Sequence, residues 1–302
     1  MKALEITITS LIVGSLALSS CKKEDTETAP TPTQDTKAIT LDLTGLEDLG
    51  PDYKYEGWLL VNGTPKSAGI FSVDASGIPS QSVFSLATAD VNAATAYIIS
   101  IEPTIDNDPA PSDVKIIAGD FNGTTANLAI THAAALGNDF SQSTGGYILA
   151  TPTDGGMMDD ENSGVWFLDP AAGPGASLNL PTLPTGWKYE GWAVINGTPI
   201  STGTFTSTTG TDEAAPYSAT LSAGPAFPGE DFLQNAPMGL TFPVDLSEQT
   251  IVISVEPSPD NSPNPFTLKP LVGNVPTSAA DHVLYSLNNN SVATNPTGTV
   301  NR

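Results

Sequence analysis

The sequence has one cysteine and two histidines in 302 residues. With only Cys21, His132 and His282 available, it cannot form a disulfide framework, a zinc finger or a three-histidine metal centre. Cations are scarce as well: ten Lys and Arg stand against 33 Asp and Glu, giving a formal net charge of −23. A surface of that sign repels a phosphate backbone, which excludes nucleic acid as a partner. Charged residues of both signs make up only 14% of the chain, below the ~25% usual in soluble domains. The acidity therefore reflects missing Lys and Arg more than dense carboxylates. Helical stripes are nearly absent. The one helix-like stretch is Thr124–Gly137, and its first half reads equally well as a strand.

Glycine and proline are plentiful, at 27 and 26 residues, so elements are short and turns frequent. At the N-terminus, Met1-Lys2 precedes the largely apolar run Ile6–Leu18, whose 13 residues fall short of the ~18–20 needed to span a bilayer. It reads as the apolar core of a secretory signal. The run ends in Leu18-Ser19-Ser20-Cys21, which resembles the bacterial lipobox, where cleavage precedes a Cys that becomes lipidated. Residues 1–20 are accordingly expected to be a lipoprotein signal peptide. Residues 21–37, with Cys21 carrying diacylglyceryl and palmitate chains, form a Thr/Pro-rich tether whose low hydrophobicity prevents packing. Several acyl chains hold a protein to a bilayer where one does so only marginally. The expected address is the cell envelope, at the outer membrane and facing away from the cytoplasm. Cys-Lys-Lys-Glu-Asp also resembles the charged surface-export tags of Bacteroidota lipoproteins.

The strongest signal is internal. Asp52–Phe71 aligns without gaps to Gly186–Phe205 with 12 identities in 20, and Ile98–Gly119 to Val252–Gly273 with 10 in 22. The offsets are 134 and 154 residues, so the second copy carries about 20 additional residues between its blocks. We expect repeat units at 38–150 and 176–300, joined by an acidic, glycine-rich connector at 151–175; one intertwined domain is the alternative, because that connector contains the apolar Val165–Asp169. Gly57–Pro65 and Gly191–Pro199 are apolar runs ending in Asn-Gly, a hairpin signature. Two β-branched runs stop at Pro103 and Pro257, which cannot donate to a ladder. The expected fold class is all-β, as two tandem β-sandwich-like repeats.

The repeated residues resemble the C-terminal, extracytoplasmic domain of anti-sigma-K factors. The resemblance rests on Tyr55, Glu56, Trp58, Gly63, Pro65, Ser67, Gly69, Phe71, Glu102 and Pro103 in the first block. Tyr189, Glu190, Trp192, Gly197, Pro199, Ser201, Gly203, Phe205, Glu256 and Pro257 carry it in the second. It implies an extracytoplasmic β domain. The sigma-binding domain and transmembrane helix of true anti-sigma factors have no counterpart here, so the resemblance does not extend to holding a sigma factor.

Trp58, Trp192, Tyr55 and Tyr189 sit mid-strand, which favours a core role over a sugar-stacking platform. Glu102 and Lys115 lie 13 residues apart across a loop, as do Glu256 and Lys269, a spacing that predicts one structural ion pair per copy. Asp106, Asp108 and Asp113 form one acidic loop cluster, and Asp154, Asp159, Asp160 and Glu161 another; neither follows the EF-hand order, and solvated loops are expected. His132 and His282 read as ordinary surface or core histidines. No nucleophile-elbow or metalloprotease motif is present. The expected protein is thus a non-catalytic binding or sensory module, without cofactor or metal. Its partners are the bilayer through Cys21 and an envelope protein or glycan. A carboxylate hydrolase of envelope polymers and a passive envelope building block are the competing readings.

Overall fold

In the computed structural model, which describes residues 35–156 and 160–302, nearly all regular structure is antiparallel strand. Cys21, the signal peptide, most of the tether and Asp159 lie outside the described residues. The first half contains β1 (Thr36–Thr44), β2 (Tyr53–Val61), β3 (Thr64–Phe71), β4 (Val83–Ala87), the short helix α1 (Thr88–Ala93), β5 (Ala94–Pro103), β6 (Lys115–Asn122), β7 (Thr125–Ala129) and β8 (Gly145–Leu149). Next come β9 (Gly164–Trp166), the small pair β10 (Leu168–Asp169) and β11 (Gly175–Ala176), β12 (Trp187–Ile195), β13 (Thr198–Phe205) and β14 (Gly229–Asp231). The chain ends with β15 (Thr250–Pro257), β16 (Leu271–Asn274), β17 (Tyr285–Asn289), the single turn α2 (Ser291–Thr294) and β18 (Thr297–Asn301). Among the described residues no helix is long and apolar enough to cross a membrane.

Local chemistry explains the paired hairpins. Asn62 and Gly63 take φ of 50° and 78°, and Asn196 and Gly197 take 52° and 83°. Two successive positive φ values keep the strand twist through a two-residue turn, and Asn and Gly adopt them at the least cost. Both hairpins bulge at the same place, Gly57/Trp58 and Gly191/Trp192. A side chain at Gly57 would collide with the Tyr97 hydroxyl, and one at Gly191 with Thr202 and Phe167. Each glycine therefore lets a bulky residue from the sheet pack directly over the backbone.

The strands form two eight-stranded sheets with the same order. The first is β3-β2-β5-β6-β7-β18-β1-β4, and the second is β13-β12-β15-β16-β17-β8-β9-β14. Each sheet curls until its edges approach, which covers strand edges that would otherwise invite pairing with another chain. Phe71 of β3 meets Phe84 of β4 at 6.3 Å between ring centroids; in the second sheet the Glu213 N–H reaches the Thr204 carbonyl of β13 at 2.9 Å, and the adjacent Asp212 accepts the Gly229 N–H of β14 at 3.0 Å.

The two sheets exchange strands between the halves of the chain. β8 follows β7 in the chain but leaves the first sheet to pair with β17 and β9. β18 makes the reverse crossing, entering the first sheet between β7 and β1. The sheets therefore depart from the expected limits of 38–150 and 176–300. The 151–175 segment is not a free connector either, because Val165 and Phe167 are fully buried and β9 is a strand of the second sheet. Asp35–Arg302 form a single unit with a main core drawn from both halves, from Ile39 through Val165 to Val300. The apolar Val165–Asp169 run drives this: its side chains are buried only when the strand joins a sheet.

Two further details differ from the sequence pattern. Thr124–Gly137 holds no helix: Ala126, Leu128 and Ile130 are buried at every second position, and β7 gives way to turns. β16 starts at Leu271, because Pro270 has no N–H for the ladder.

Candidate functional site

The repeated residues build the same polar chain in both halves. The Trp58 indole N–H donates to Ser100 Oγ at 2.8 Å, and the Trp192 indole to Ser254 Oγ at 2.8 Å. Ser100 donates in turn to Glu102, and Ser254 to Glu256. Each Glu Oε1 also accepts a backbone N–H at 2.9 Å, from Ser112 and from Phe266 respectively. Ser67 donates to Glu56 and Ser201 to Glu190. Trp58 and Trp192 are each 2% exposed, and Tyr55 and Tyr189 are buried with their hydroxyls on the carbonyls of Glu47 and Pro181. Their ring faces are packed in the core, so they offer no open stacking surface.

The ion pairs predicted by spacing do not form. Lys115 Nζ donates to the Ser112 carbonyl and Lys269 Nζ to the Phe266 carbonyl, each at 2.6 Å. Among the described residues neither lysine is salt-bridged to Glu102 or Glu256. The carboxylates already accept from serine and backbone donors, and the lysines serve the loop carbonyls instead. Burial pushes the Lys269 ammonium below its usual range, opposed by the charges of Glu47 and Glu256.

The equivalent loops of the two halves meet at a cleft of about 740 Å³. The β1–β2 loop supplies one wall and the β15–β16 loop the other, with Tyr53, Val114 and Phe266 giving apolar surface. The walls are tied together: Asn261 Nδ2 donates to Asp52 Oδ2 at 2.8 Å, and Thr267 Oγ1 to the Gly45 carbonyl at 3.1 Å. Gly186 lies against Asp113 and Val114 so closely that a Cβ there would stand 2.9 Å from the Asp113 carbonyl carbon. Glu47, Asp48, Asp52, Asp113 and Asp260 line the cleft, and among the described residues no Lys or Arg does. Burial pushes Glu47 up to about 7, against the opposing pull of Lys269 and the Thr267 N–H.

The loop acids singled out from sequence mostly serve turns. Asp106 Oδ1 accepts the Asp108 N–H, and Asp108 Oδ1 the Ala110 N–H, at 2.8 and 3.0 Å. Asp154 Oδ1 accepts from Gly156, and Glu161 Oε2 accepts the Thr151 N–H at 3.0 Å. Asp160 lines a separate acidic hollow with Glu161, Asp245 and Asp281. His132 stands 3.4 Å from Asp120 and His282 pairs with Asp281 at 2.8 Å. The insertion unique to the second half buries Glu230 and Asp231 completely. Asp231 accepts from the Thr153 N–H and the Trp166 indole at 2.8 and 2.7 Å. Glu47 and Asp260 were missed as members of a shared site because they are 213 positions apart in the chain; the one available signal was that Asp260 aligns with Asp106.

This arrangement frames the comparisons with known proteins. Residues 22–114 match the family described as anti-sigma-K factor rskA, C-terminal. The resemblance seen in Tyr55, Glu56, Trp58 and Glu102 is therefore shown for that segment, which runs through β5 and stops one residue before Lys115. The second block, with Tyr189, Glu190, Trp192, Glu256 and Lys269, lies outside the match. Searches of curated proteins and of solved structures gave no match. The matched family is regulatory rather than catalytic, and the match covers less than a third of the chain.

Proposed function

We propose that this chain is a lipid-anchored, extracytoplasmic, non-catalytic binding module made from two diverged copies of the anti-sigma-K C-terminal domain. In this reading the cleft between the copies receives a basic, extended segment of an envelope protein. The observation that carries it is the cleft itself: an apolar floor around Tyr53 and Phe266 under a rim of acids without a cationic lining residue. Charge of one sign along a groove attracts the opposite sign and speeds encounter. A neutral glycan would find hydrogen-bond acceptors there but no long-range attraction. The common strand order of the two sheets supports the duplication, and the lipobox-like Leu18-Ser19-Ser20-Cys21 supports the anchor.

The test is co-purification of tagged full-length protein from envelope fractions at low and high salt, for wild type and an Asp52→Asn/Asp113→Asn double variant. Both positions are exposed, so folding is preserved. The expected result is a partner rich in Lys or Arg whose recovery falls at least about tenfold in the variant and in high salt, where screening shortens to a few ångström. Equal recovery from both proteins at both salts rejects the cleft as the binding site.

A further inference from the structure

We infer that Glu190, Glu256 and Asp260 form a calcium site at the edge of the cleft. One carboxylate oxygen from each lies within 4.8 Å of the other two. Oxygens that close can share one ion: a Ca²⁺ shell, with oxygens about 2.3–2.6 Å from the ion, spans up to about 5 Å. Acidic residues gather on many surfaces without a metal, so proximity alone decides nothing. The second observation is at Glu256, which is 1% exposed. Its Oε1 accepts from Ser254 and from the Phe266 N–H. Its Oε2 is buried with no hydrogen-bond partner. A carboxylate oxygen held out of water with nothing to accept from is costly, and a hard cation shared with Glu190 and Asp260 supplies the missing partner.

The geometry around the three acids fits the same reading. Glu190 is held by Ser201 and Glu256 by Ser254, so both carboxylates are fixed before any ion arrives. Asp260 is exposed and lines the cleft, leaving an entry route and room for water to complete the 6–8 ligands calcium takes. The nearby cation, Lys269, is committed to the Phe266 carbonyl. The counterparts in the first copy, Glu56, Glu102 and Asp106, form no such group among the described residues.

The experiment is calcium titration of the purified full-length chain by calorimetry, paired with thermal melts in Ca²⁺ and in NaCl of equal ionic strength. The expected result is one saturable site with a dissociation constant of about 10⁻⁴–10⁻³ M, the range of extracellular calcium modules, and a melting temperature raised by Ca²⁺ but not by NaCl. Asp260→Asn, at an exposed position, should weaken binding at least about tenfold without lowering the melting temperature in chelator. Glu256→Gln should abolish the calcium-dependent shift, and Asp106→Asn, the matched position in the first copy, should leave it intact. Absence of a calcium-specific shift in wild type overturns the proposal. So does an Asp260→Asn variant whose calcium affinity equals that of wild type, since the ion would then be responding to the general acidity of the chain.

Discussion

Strand exchange makes the C-terminal tail of the chain responsible for the N-terminal sheet. β18 fills the gap between β1 and β7, with Thr40 opposite Asn301 on one side and Asn301 opposite Thr125 on the other. Val300 is fully buried there, and the Arg302 guanidinium lies 4.1 Å over the Phe121 ring. Ending the chain at Pro296 removes all of this. Losing Val300 burial costs about 1.5–3 kcal/mol. Each backbone hydrogen bond adds about 0.5–1.5 kcal/mol net, so even four lost bonds bring the sum to about 4–9 kcal/mol. A whole domain is stable by about 5–15 kcal/mol; truncation should therefore leave the protein unfolded or barely folded. The milder Val300→Ala, at about 2 kcal/mol for two buried methyl groups and their cavity, keeps the fold and locates the effect. Hydrogen exchange read by mass spectrometry should show Thr36–Thr44 and Thr125–Ala129 losing protection, although the mutation lies some 260 residues from β1. The reciprocal change, Leu149→Ala at a fully buried position of β8, should cost about 2–5 kcal/mol and loosen Tyr285–Asn289. If Val300→Ala instead loosens only residues 176–295 and leaves β1 protected, each half closes on its own strand and the exchange is refuted.

Other outcomes follow from single positions. Trp58→Ala and Trp192→Ala should each cost about 3–5 kcal/mol in a thermal melt, because each indole is buried and hydrogen-bonded to a core serine; unchanged melting would return the rings to a surface role. Glu230, fully buried and pushed up to about 8 by burial despite the Ser218 hydrogen bond, binds a proton in the folded state that the unfolded chain releases near pH 4.5. Its contribution to stability is present below pH 4.5 and is lost as pH rises to 8. Glu230→Gln should therefore lose less stability than wild type between pH 5 and 8.5 in denaturant titrations, and parallel curves would show that Glu230 is ionised throughout. Cys21→Ala should abolish incorporation of labelled palmitate, since that sulfur is the only thiol in the chain; wild-type labelling would place the lipid elsewhere.

What the sequence disclosed and what it hid separate along a physical line. Asn62-Gly63 and Asn196-Gly197 announce their hairpins because the turn is decided by two residues and their φ values. The buried Trp and Tyr of the repeats were legible because large aromatics in apolar strand runs supply core; burial of the repeated Glu residues was not, because it depends on their serine partners. The destination of β8 and β18 was not legible. Both are five residues long, and nothing local distinguishes joining one sheet from joining another with the same order. The lysines show an intermediate case. Spacing correctly placed Lys115 and Lys269 near the Glu strands, but the choice between a carboxylate and a loop carbonyl depended on serines two positions before each glutamate that had already claimed the acid.

The same separation bears on where function resides. The Trp–Ser–Glu–backbone chain occurs in both halves with equal Trp–Ser and N–H–Glu distances, as a device that holds each sheet together must. A residue kept for the fold has to work in both copies; a residue kept for a ligand needs to work in only one. The differences between copies are therefore the informative positions. Glu256 leaves an oxygen without a partner, and Gly186 stands where the first copy has Asp52, its missing side chain allowing the second half to close on Asp113 and Val114. Gly186 lines the cleft where the copies meet, and Glu256 lies beside it, next to the lining residue Pro257. Binding of a basic partner should thus depend on the two halves being together, and Gly186→Ala, which pushes a Cβ against Asp113 at a φ of 89°, should weaken partner capture in the co-purification while leaving both polar chains in place.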